Sequence, residues 1–441
     1  MAMLSFTINF EKFKTESSDL KFESGLNIIY GNSGVGKSSL LQLLLGKKKQ
    51  NNILNFSISP IELPSSISVI YQNPDIQIIT PTIGGELAFS LENQYHNPET
   101  ISIGVNTLLE SLPFVPQLNQ NPLTLSGGEK ELLNITTAIS TQPDCVLIDD
   151  GLSFLSDSAK IKCIDKLNKY TQRNNSVILW FTSEINDLKY STFNWELTLT
   201  GFIKVDQNKA YQYEHMEIPK GDVELSFNHL FFNYDQRNIF SDLTFNLKPV
   251  RSLGITGDNG SGKTTIAQIL QGIYKPIKGS FYLAQNNSSI NNIAYLDQFQ
   301  ENLLLGRSFN HLLDQLLNEE KINSHLISTF KKRLERFHIQ WDAISQIDVM
   351  ELPWSMLRLT FIVLLTHCEY DLIILDEPSF GLGWKQKVIL RQYLIEKMNY
   401  KHFIMISHDR LFLEAVSDKI LDIDIEQLTT TFKQNEQEET A

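Results

Sequence analysis

Cysteine is scarce in this chain: there are three in 441 residues, Cys145, Cys163 and Cys368, an odd number set far apart. That scarcity excludes a disulfide-stapled scaffold, leaves no cysteine spacing suited to a metal, and fits free buried thiols in a reducing compartment. Basic charge is also short, with 38 Lys and Arg against 51 Asp and Glu and a net charge of −13, which disfavours broad attraction to nucleic acid or anionic lipid. Long apolar runs are missing as well, so no segment reads as a membrane-spanning helix. The opening MAMLSFTINFEKFK alternates apolar and polar residues like a strand and lacks the parts of a secretion signal, so the expected location is the cytoplasm.

What the chain does have is a repeat. GNSGVGKS (Gly31, Asn32, Ser33, Gly34, Val35, Gly36, Lys37, Ser38) and GDNGSGKT (Gly257, Asp258, Asn259, Gly260, Ser261, Gly262, Lys263, Thr264) both satisfy G-x-x-x-x-G-K-[ST]. Each follows an apolar strand-like run, LNIIY or SLGIT, and precedes a helix-like run, which is the context a phosphate loop requires. The chemistry accounts for the residue types. Glycines let backbone N–H groups close around phosphates at a helix N-terminus, the lysine reaches the β and γ oxygens, and the hydroxyl holds magnesium. Ser39 and Thr265, next in each loop, complete the candidate nucleotide contacts.

Other positions recur at nearly the same offset: Lys37 to Lys263 and Gln72 to Gln298 by 226 residues, Asp149 to Asp376 by 227, Ser183 to His408 by 225. One domain has been duplicated head to tail. The expected organisation is a first domain over 1–200, a linker over 201–222, a second domain over 223–428 and a polar, disordered tail over 429–441. The length suits such a pair, each with a sizeable core.

The apolar runs CVLIDD, ending at Asp149 and Asp150, and LIILDE, ending at Asp376 and Glu377, read as buried strands capped by acids. In phosphate-loop proteins that placement serves a magnesium-binding Asp followed by a catalytic carboxylate. With the phosphate loop upstream and LSGGE (Leu125 to Glu129) shortly before the first such strand, the sequence resembles the ATP-binding cassette ATPases over nearly its whole length. The resemblance implies an α/β fold: two tandem P-loop NTPase domains, each a RecA-like core with an antiparallel β subdomain and an inserted helical subdomain, expected over about 73–125 and 299–352.

It also implies roles. ATP and Mg2+ are the expected cofactors. Thr264 and Asp376, or Ser38 and Asp149 in the first half, would organise the metal together with Gln298 and Gln72. Glu377 would polarise the attacking water, His408 would contact the γ-phosphate, and Gln298 would link metal and water to the transport machinery. Tyr234 is a candidate to stack on adenine, with packing in the core as its alternative. In this family two such domains pack head to tail, each ATP lying between one phosphate loop and the other domain's signature loop.

Three departures fall on one of the two resulting sites. Asp150 stands where the catalytic Glu belongs, Ser183 stands where the switch His belongs, and the second signature reads LPWSML, with Pro353 lacking an N–H and Trp354 filling a glycine slot. The other site, combining Lys263, Thr264, Gln298, Asp376, Glu377 and His408 with Ser126, Gly127 and Gly128, is nearly complete, and hydrolysis is expected there. Ser156 and Gly383 replace the Asp usual in the loop after each acid, so communication between the sites should be weaker than the family norm.

After Gln72 the chain reads YQNPDIQIITPTIGGELAFSLEN, which looks like the energy-coupling-factor and cobalt-type importer ATPases at Asn73, Pro74, Asp75, Gln77, Glu86, Ala88, Phe89, Glu92 and Asn93. That resemblance implies a vitamin, vitamin precursor or metal ion as cargo. The implied partners are a transmembrane coupling subunit and a small substrate-binding membrane subunit, and the implied place is the cytoplasmic face of the membrane, peripheral through partners and without nucleic acid. Ile78, Ile79 and Phe89 are the candidate docking residues. The alternatives are a tandem sugar-importer ATPase and a soluble translation-associated tandem ATPase; the short linker, acidic balance and lack of a cysteine cluster disfavour the last.

Overall fold

The structure, a computed structural model, describes residues 4–10, 18–46, 56–94, 97–207, 212–234, 237–258, 260–298, 307–423 and 428–431. The chain divides into two compact units, Met1–Tyr211 with Gly381–Trp384, and Gln212–Phe380 with Lys385–Ala441.

In the first unit the order across a six-stranded sheet is Ile67–Ile70, Cys145–Asp149, Val177–Thr182, Gly25–Tyr30, Phe193–Leu197 and Phe202–Lys204. The first five strands run parallel and the last is antiparallel. CVLID and VILWFT are buried at every position, as strands covered on both faces must be, so their apolar residues run without alternation. Parallel neighbours need crossovers, and the helices Lys37–Leu44, Gly127–Ser140 and Asp157–Asn174 lie in them. A separate three-stranded antiparallel sheet, Ser18–Phe22, Leu4–Asn9 and Ser57–Glu62, packs Phe6, Ile8 and Phe22 against the helix residues Leu40, Leu41 and Leu44.

The second unit repeats the order: Ile293–Leu296, Leu372–Asp376, His402–Ile406, Ser252–Thr256, Lys419–Ile423 and Leu428–Thr431, again parallel until an antiparallel edge. Its antiparallel sheet is built on two long paired strands, Val223–Tyr234 and Arg237–Val250, joined by Lys278–Gln285 and Ser288–Ser289. Identical strand order in both units is the structural counterpart of the sequence repeat. Phe202–Lys204, at the start of the expected linker, forms the edge of the first sheet. Thr429 to Thr431, the start of the expected tail, belong to the second sheet's edge, while 432–441 lie outside the described residues.

The helical segments inserted between the Gln and the acid strand include Ile83–Glu92 and Pro98–Glu110 in the first unit and Phe309–Asn318, Ile327–Glu335 and Trp341–Ile344 in the second. Each insertion leads into the helix preceding the acid strand, Gly127–Ser140 or Trp354–Leu365. In the first unit Ile83 and Leu87 pack with Leu133 of that helix. Burying such a Leu or Ile contributes about 1.5–3 kcal/mol, so the insertion is anchored by a few apolar residues. No helix among the described residues is long and apolar enough to cross a membrane.

Candidate functional site

In each unit the strand near the middle of the parallel sheet, Gly25–Tyr30 or Ser252–Thr256, runs into a glycine-rich loop and then a helix, Lys37–Leu44 or Lys263–Leu270. The residues before these helices, Gly36 and Gly262, have φ of 104° and 98°, where a side chain is strained. A Cβ on Gly262 would also lie 2.5 Å from the Phe240 ring. Neither helix has an acid in its first turn, so the N–H groups there face no competing carboxylate from their own helix. Lys37 Nζ donates to Gly31 O at 2.8 Å, and Lys263 Nζ donates to Gly257 O and Asp258 O at 2.9 and 3.0 Å. Burial lowers the Lys263 pKa against the opposing pull of Glu377 and Asp376.

Asn32, Ser33, Gly34 and Val35 form the first loop, Gly260 and Ser261 follow Asp258 in the second, and Asn259 lies outside the described residues. Ser38 and Ser39, like Thr264 and Thr265, stand in the first helical turn. Ser38 Oγ donates to Asp149 Oδ1 at 3.1 Å, and Thr264 Oγ1 to Asp376 Oδ2 at 2.9 Å. Both aspartates end buried strands, and burial pushes each up to about 6, aided by the charge of Asp150 in the first case and Asp297 in the second. A carboxylate beside a hydroxyl is a hard-oxygen pair that fits Mg2+, which takes one or two protein carboxylates and completes its shell with phosphates and water.

One strand lies between loop strand and acid strand in each unit, and it delivers the residue that meets the second acid. Asp150 and Glu377 both adopt left-handed backbone, φ 48° and 51°, and donate their N–H to Phe181 O and Ile406 O at 2.8 Å. Such backbone is costly for a non-glycine residue, so its recurrence at both acids marks a geometry the fold imposes.

The two acids then differ. Glu377 Oε2 accepts the Ser407 hydroxyl at 2.7 Å and Oε1 accepts the His408 N–H at 3.0 Å, with His408 Nε2 4.0 Å from the same oxygen. Burial pushes Glu377 up to about 7, with the Ser407 hydrogen bond opposing and Asp376 reinforcing. A carboxylate of that pKa suits a general base. Asp150, a methylene shorter, spends both oxygens on one residue, accepting the Ser183 N–H at 2.6 Å and the Ser183 hydroxyl at 2.5 Å. Lys37 Nζ stands 4.0 Å from Asp150 Oδ2, and no imidazole occupies the place of His408.

The helices after the insertions differ at their starts. Ser126 caps Gly127–Ser140 in a capping box: its N–H bonds Glu129 Oε2 at 2.9 Å and its Oγ accepts the Glu129 N–H at 3.4 Å, leaving Gly127 and Gly128 in the first turn. Trp354–Leu365 starts from Pro353 with no side-chain cap, and the Trp354 indole packs edge-on against Phe380 at 5.3 Å.

Gln72 and Gln298 each follow the neighbouring parallel strand by two residues. The Gln298 N–H donates to Asp297 Oδ1 at 2.6 Å and its carbonyl accepts Arg358 Nη2 at 2.8 Å. Tyr234 is half-buried; its hydroxyl donates to Gln268 Oε1 at 3.0 Å and lies 3.3 Å from Thr265 Oγ1, and its ring meets Phe232 and Tyr274 edge-on. The Q-N-P-D-x-Q segment folds as a brace. Asn73 caps the turn Pro74–Gln77, Asp75 pairs with buried Lys130 at 2.7 Å, and Asn134 Nδ2 donates to Pro74 O at 2.9 Å. Gln77 Nε2 ties back to Val69 O at 3.1 Å. Ile79 after this turn is 68% exposed and Ile78 half-buried, and Phe89 on the following helix is 40% exposed.

Several residues at the site went unnoticed in the sequence. The Tyr295 hydroxyl donates to Asp376 Oδ2 at 3.1 Å, and burial raises its pKa. Lys160 pairs with Asp187 at 3.1 Å and Lys387 with Asp409 at 2.6 Å. The two lysines sit at the 227-residue repeat offset, a signal that was available, whereas their partners do not correspond.

The ABC transporter family model matches residues 16–153 and 240–380. The chain is 23% identical to a Clostridium perfringens protein named as an ABC transporter ATP-binding protein, over 91% of this chain and 84% of that one. It is 24% identical to a Bacillus subtilis protein, YkoD, named as an HMP/thiamine import ATP-binding protein, over 95% and 88%. Among solved structures, its fold is similar to that of an archaeal ribosome recycling factor, aABCE1, crystallised with a ribosomal stalk protein, at TM-score 0.56 and 18% identity over 91% of this chain and 83% of that one. A model of ribosome-bound archaeal Pelota and ABCE1 gives TM-score 0.62 at 19% identity, over 91% and 72%.

Proposed function

The chain belongs to the ABC transporter family, and on that premise we propose that it is the ATP-hydrolysing subunit of an energy-coupling-factor type importer. It is an ATPase whose cofactors are ATP and Mg2+. The observation that carries the reading of its chemistry is the contrast between Glu377, held by Ser407 and His408, and Asp150, folded onto Ser183.

In this reading one composite site works and the other mainly binds. Lys263 and the N–H groups of the second phosphate loop hold the β and γ phosphates, and Ser126 with the N–H groups of Gly127 and Gly128 presents a capped helix start to the γ-phosphate. Thr264, Asp376 and Gln298 would hold Mg2+. Bound there, the ion neutralises charge on the phosphate oxygens. Glu377 takes a proton from water as its oxygen attacks the γ-phosphorus and the bond to the ADP oxygen breaks, giving ADP and phosphate, while His408 steadies the γ-phosphate. Tyr234 stacks on adenine. At the other site Gly31 to Ser39, Asp149 and Gln72 bind nucleotide and metal, but Asp150, Ser183, Pro353 and Trp354 slow turnover.

Import is supported by the exposed Ile79 and Phe89 beside the Asn73–Asp75–Lys130 brace, and by the relative named for HMP/thiamine import. In this reading these residues receive a transmembrane coupling subunit. That subunit works with a small substrate-binding membrane subunit for a vitamin, vitamin precursor or metal ion, and the chain lies at the cytoplasmic face of the membrane. The likeness to the recycling factor concerns fold alone and does not favour a ribosomal role.

The test is to tag the chain, solubilise membranes gently and identify stoichiometric companions by mass spectrometry, with Ile79→Asp and Phe89→Asp in parallel. Recovery of a multi-span protein with a small membrane protein, lost in the variants, is expected. Ribosomal proteins from a soluble fraction with no membrane companion would overturn the importer reading.

A further inference from the structure

The helix position three residues after Gly128 carries an acid in one unit and a base in the other, Glu131 and, 227 residues on, Arg358, and both are almost fully buried; burial pushes the Glu131 carboxyl up to about 8. A buried charge is expensive unless it is matched by partners, so each must be doing something the fold needs. In the first unit Glu131 Oε1 accepts the N–H of Leu152 and Oε2 accepts that of Phe154 at 3.2 Å, so the carboxylate grips the loop that follows Asp150. Arg358 has no carboxylate to give to amides and grips by other means. Its guanidinium lies over the Phe380 ring at 5.3 Å and the Trp354 ring at 5.8 Å, and Nη2 donates to the Gln298 carbonyl at 2.8 Å.

Those contacts converge on the chemistry. The Phe380 N–H bonds to the Glu377 carbonyl at 3.1 Å, so Phe380 closes the turn that begins at the general base. Gln298 follows, by two residues, the strand beside the one that ends in Asp376. One side chain therefore spans the turn carrying Glu377 and the segment carrying Gln298, its guanidinium lying over the rings and one of its N–H groups on the carbonyl. Arginine suits this because its plane stacks on rings while its edge still donates, which an ammonium cannot do.

We propose that Arg358 is a positioning residue for ATP hydrolysis, acting through Phe380 to fix the Glu377 turn and through the Gln298 carbonyl to fix the adjoining loop. It touches no reacting atom. The helix start that reads as a ruined signature, Pro353 and Trp354, then has a use within its own unit: Trp354 backs the stack that holds the neighbouring catalytic turn. This rests on the reading that Glu377 activates the attacking water.

The experiment measures kcat, KM and mant-ATP affinity on the full chain in its purified complex, with kcat normalised to folded protein by tryptic resistance. It compares Arg358→Met, Arg358→Lys, Phe380→Leu and the Arg358→Met/Phe380→Leu double variant, with Glu377→Gln as the reference. Misplacing a reacting group by about 1 Å costs on the order of 10²-fold. Arg358→Met is therefore expected to lower kcat roughly 10- to 100-fold while mant-ATP affinity stays within about twofold. Arg358→Lys should recover part of the loss through the Gln298 carbonyl. The double variant should lose little beyond Arg358→Met, since residues acting along one path are not additive. Phe380→Leu keeps an apolar side chain and serves as the informative variant should Arg358→Met not fold. Unchanged kcat per folded protein in Phe380→Leu and Arg358→Met, strictly additive losses, or parallel loss of kcat and nucleotide affinity would overturn the proposal. If Glu377→Gln retains turnover, the reading of the site fails first; if it abolishes turnover while Arg358 variants do not, only the positioning role fails.

Discussion

Glu377→Gln against Asp150→Asn is the sharpest perturbation of the asymmetry. Glutamine at 377 keeps one oxygen to accept the His408 N–H, and its amide can donate to a re-aimed Ser407 hydroxyl, so the structural cost stays below about 1 kcal/mol. What is lost is the base. Removing a positioned general base costs ~10²–10⁴ in rate, or about 3–5 kcal/mol of barrier, and phosphate release should fall by that factor while mant-ATP still binds. Asparagine at 150 keeps an oxygen for the Ser183 N–H and loses the Lys37 partner 4.0 Å away, with no base lost from the working site. Its turnover is expected within about twofold of the parent. An equal collapse in both variants would refute the asymmetry, and substantial residual turnover in Glu377→Gln would show that the working site had been misassigned.

Three further outcomes follow from single contacts. His367 is buried, with Nδ1 on the Val363 carbonyl and Nε2 on Lys397 Nζ, and burial followed by the charges of Lys397, Arg333 and Lys401 lowers its pKa to about 4. The unfolded chain therefore takes up this proton first as pH falls, so stability is full above about 6.5 and is lost toward 4, on the order of 2 kcal/mol; urea unfolding of His367→Gln should show a shallower loss between pH 7 and 4.5, and an unchanged slope would contradict this. Lys130→Met breaks the pair with Asp75, which is 25% exposed and so partly rehydrates; about 1–2 kcal/mol and a drop of roughly 2–8 °C in the first unit's melting are expected by calorimetry, and no shift would count against the brace. Pro353→Ser supplies the missing cap of Trp354–Leu365 and should stabilise the second unit by about 0.5–1 kcal/mol, measured by denaturant midpoint; destabilisation would mean that the proline holds the Trp354 packing.

The duplication, the two phosphate loops, the acid-capped strands and the α/β class were legible in the sequence because each is written in neighbouring residues. A glycine at positive φ, a lysine and a hydroxyl must follow one another along the backbone, and a strand covered on both faces must be apolar throughout. The substitutions at Asp150, Ser183, Pro353 and Trp354 were visible for the same reason, as breaks in a local pattern. The tertiary structure decided what those residues hold. That Ser407 and Ser183 grip the two acids, that Asp75 meets Lys130 across 55 residues, and that an acid, Glu131, and a base, Arg358, serve the same helix position all depend on side chains brought together from distant segments. No periodicity encodes such pairings, because burial fixes where a charge is costly and only the packed neighbours determine which group relieves it.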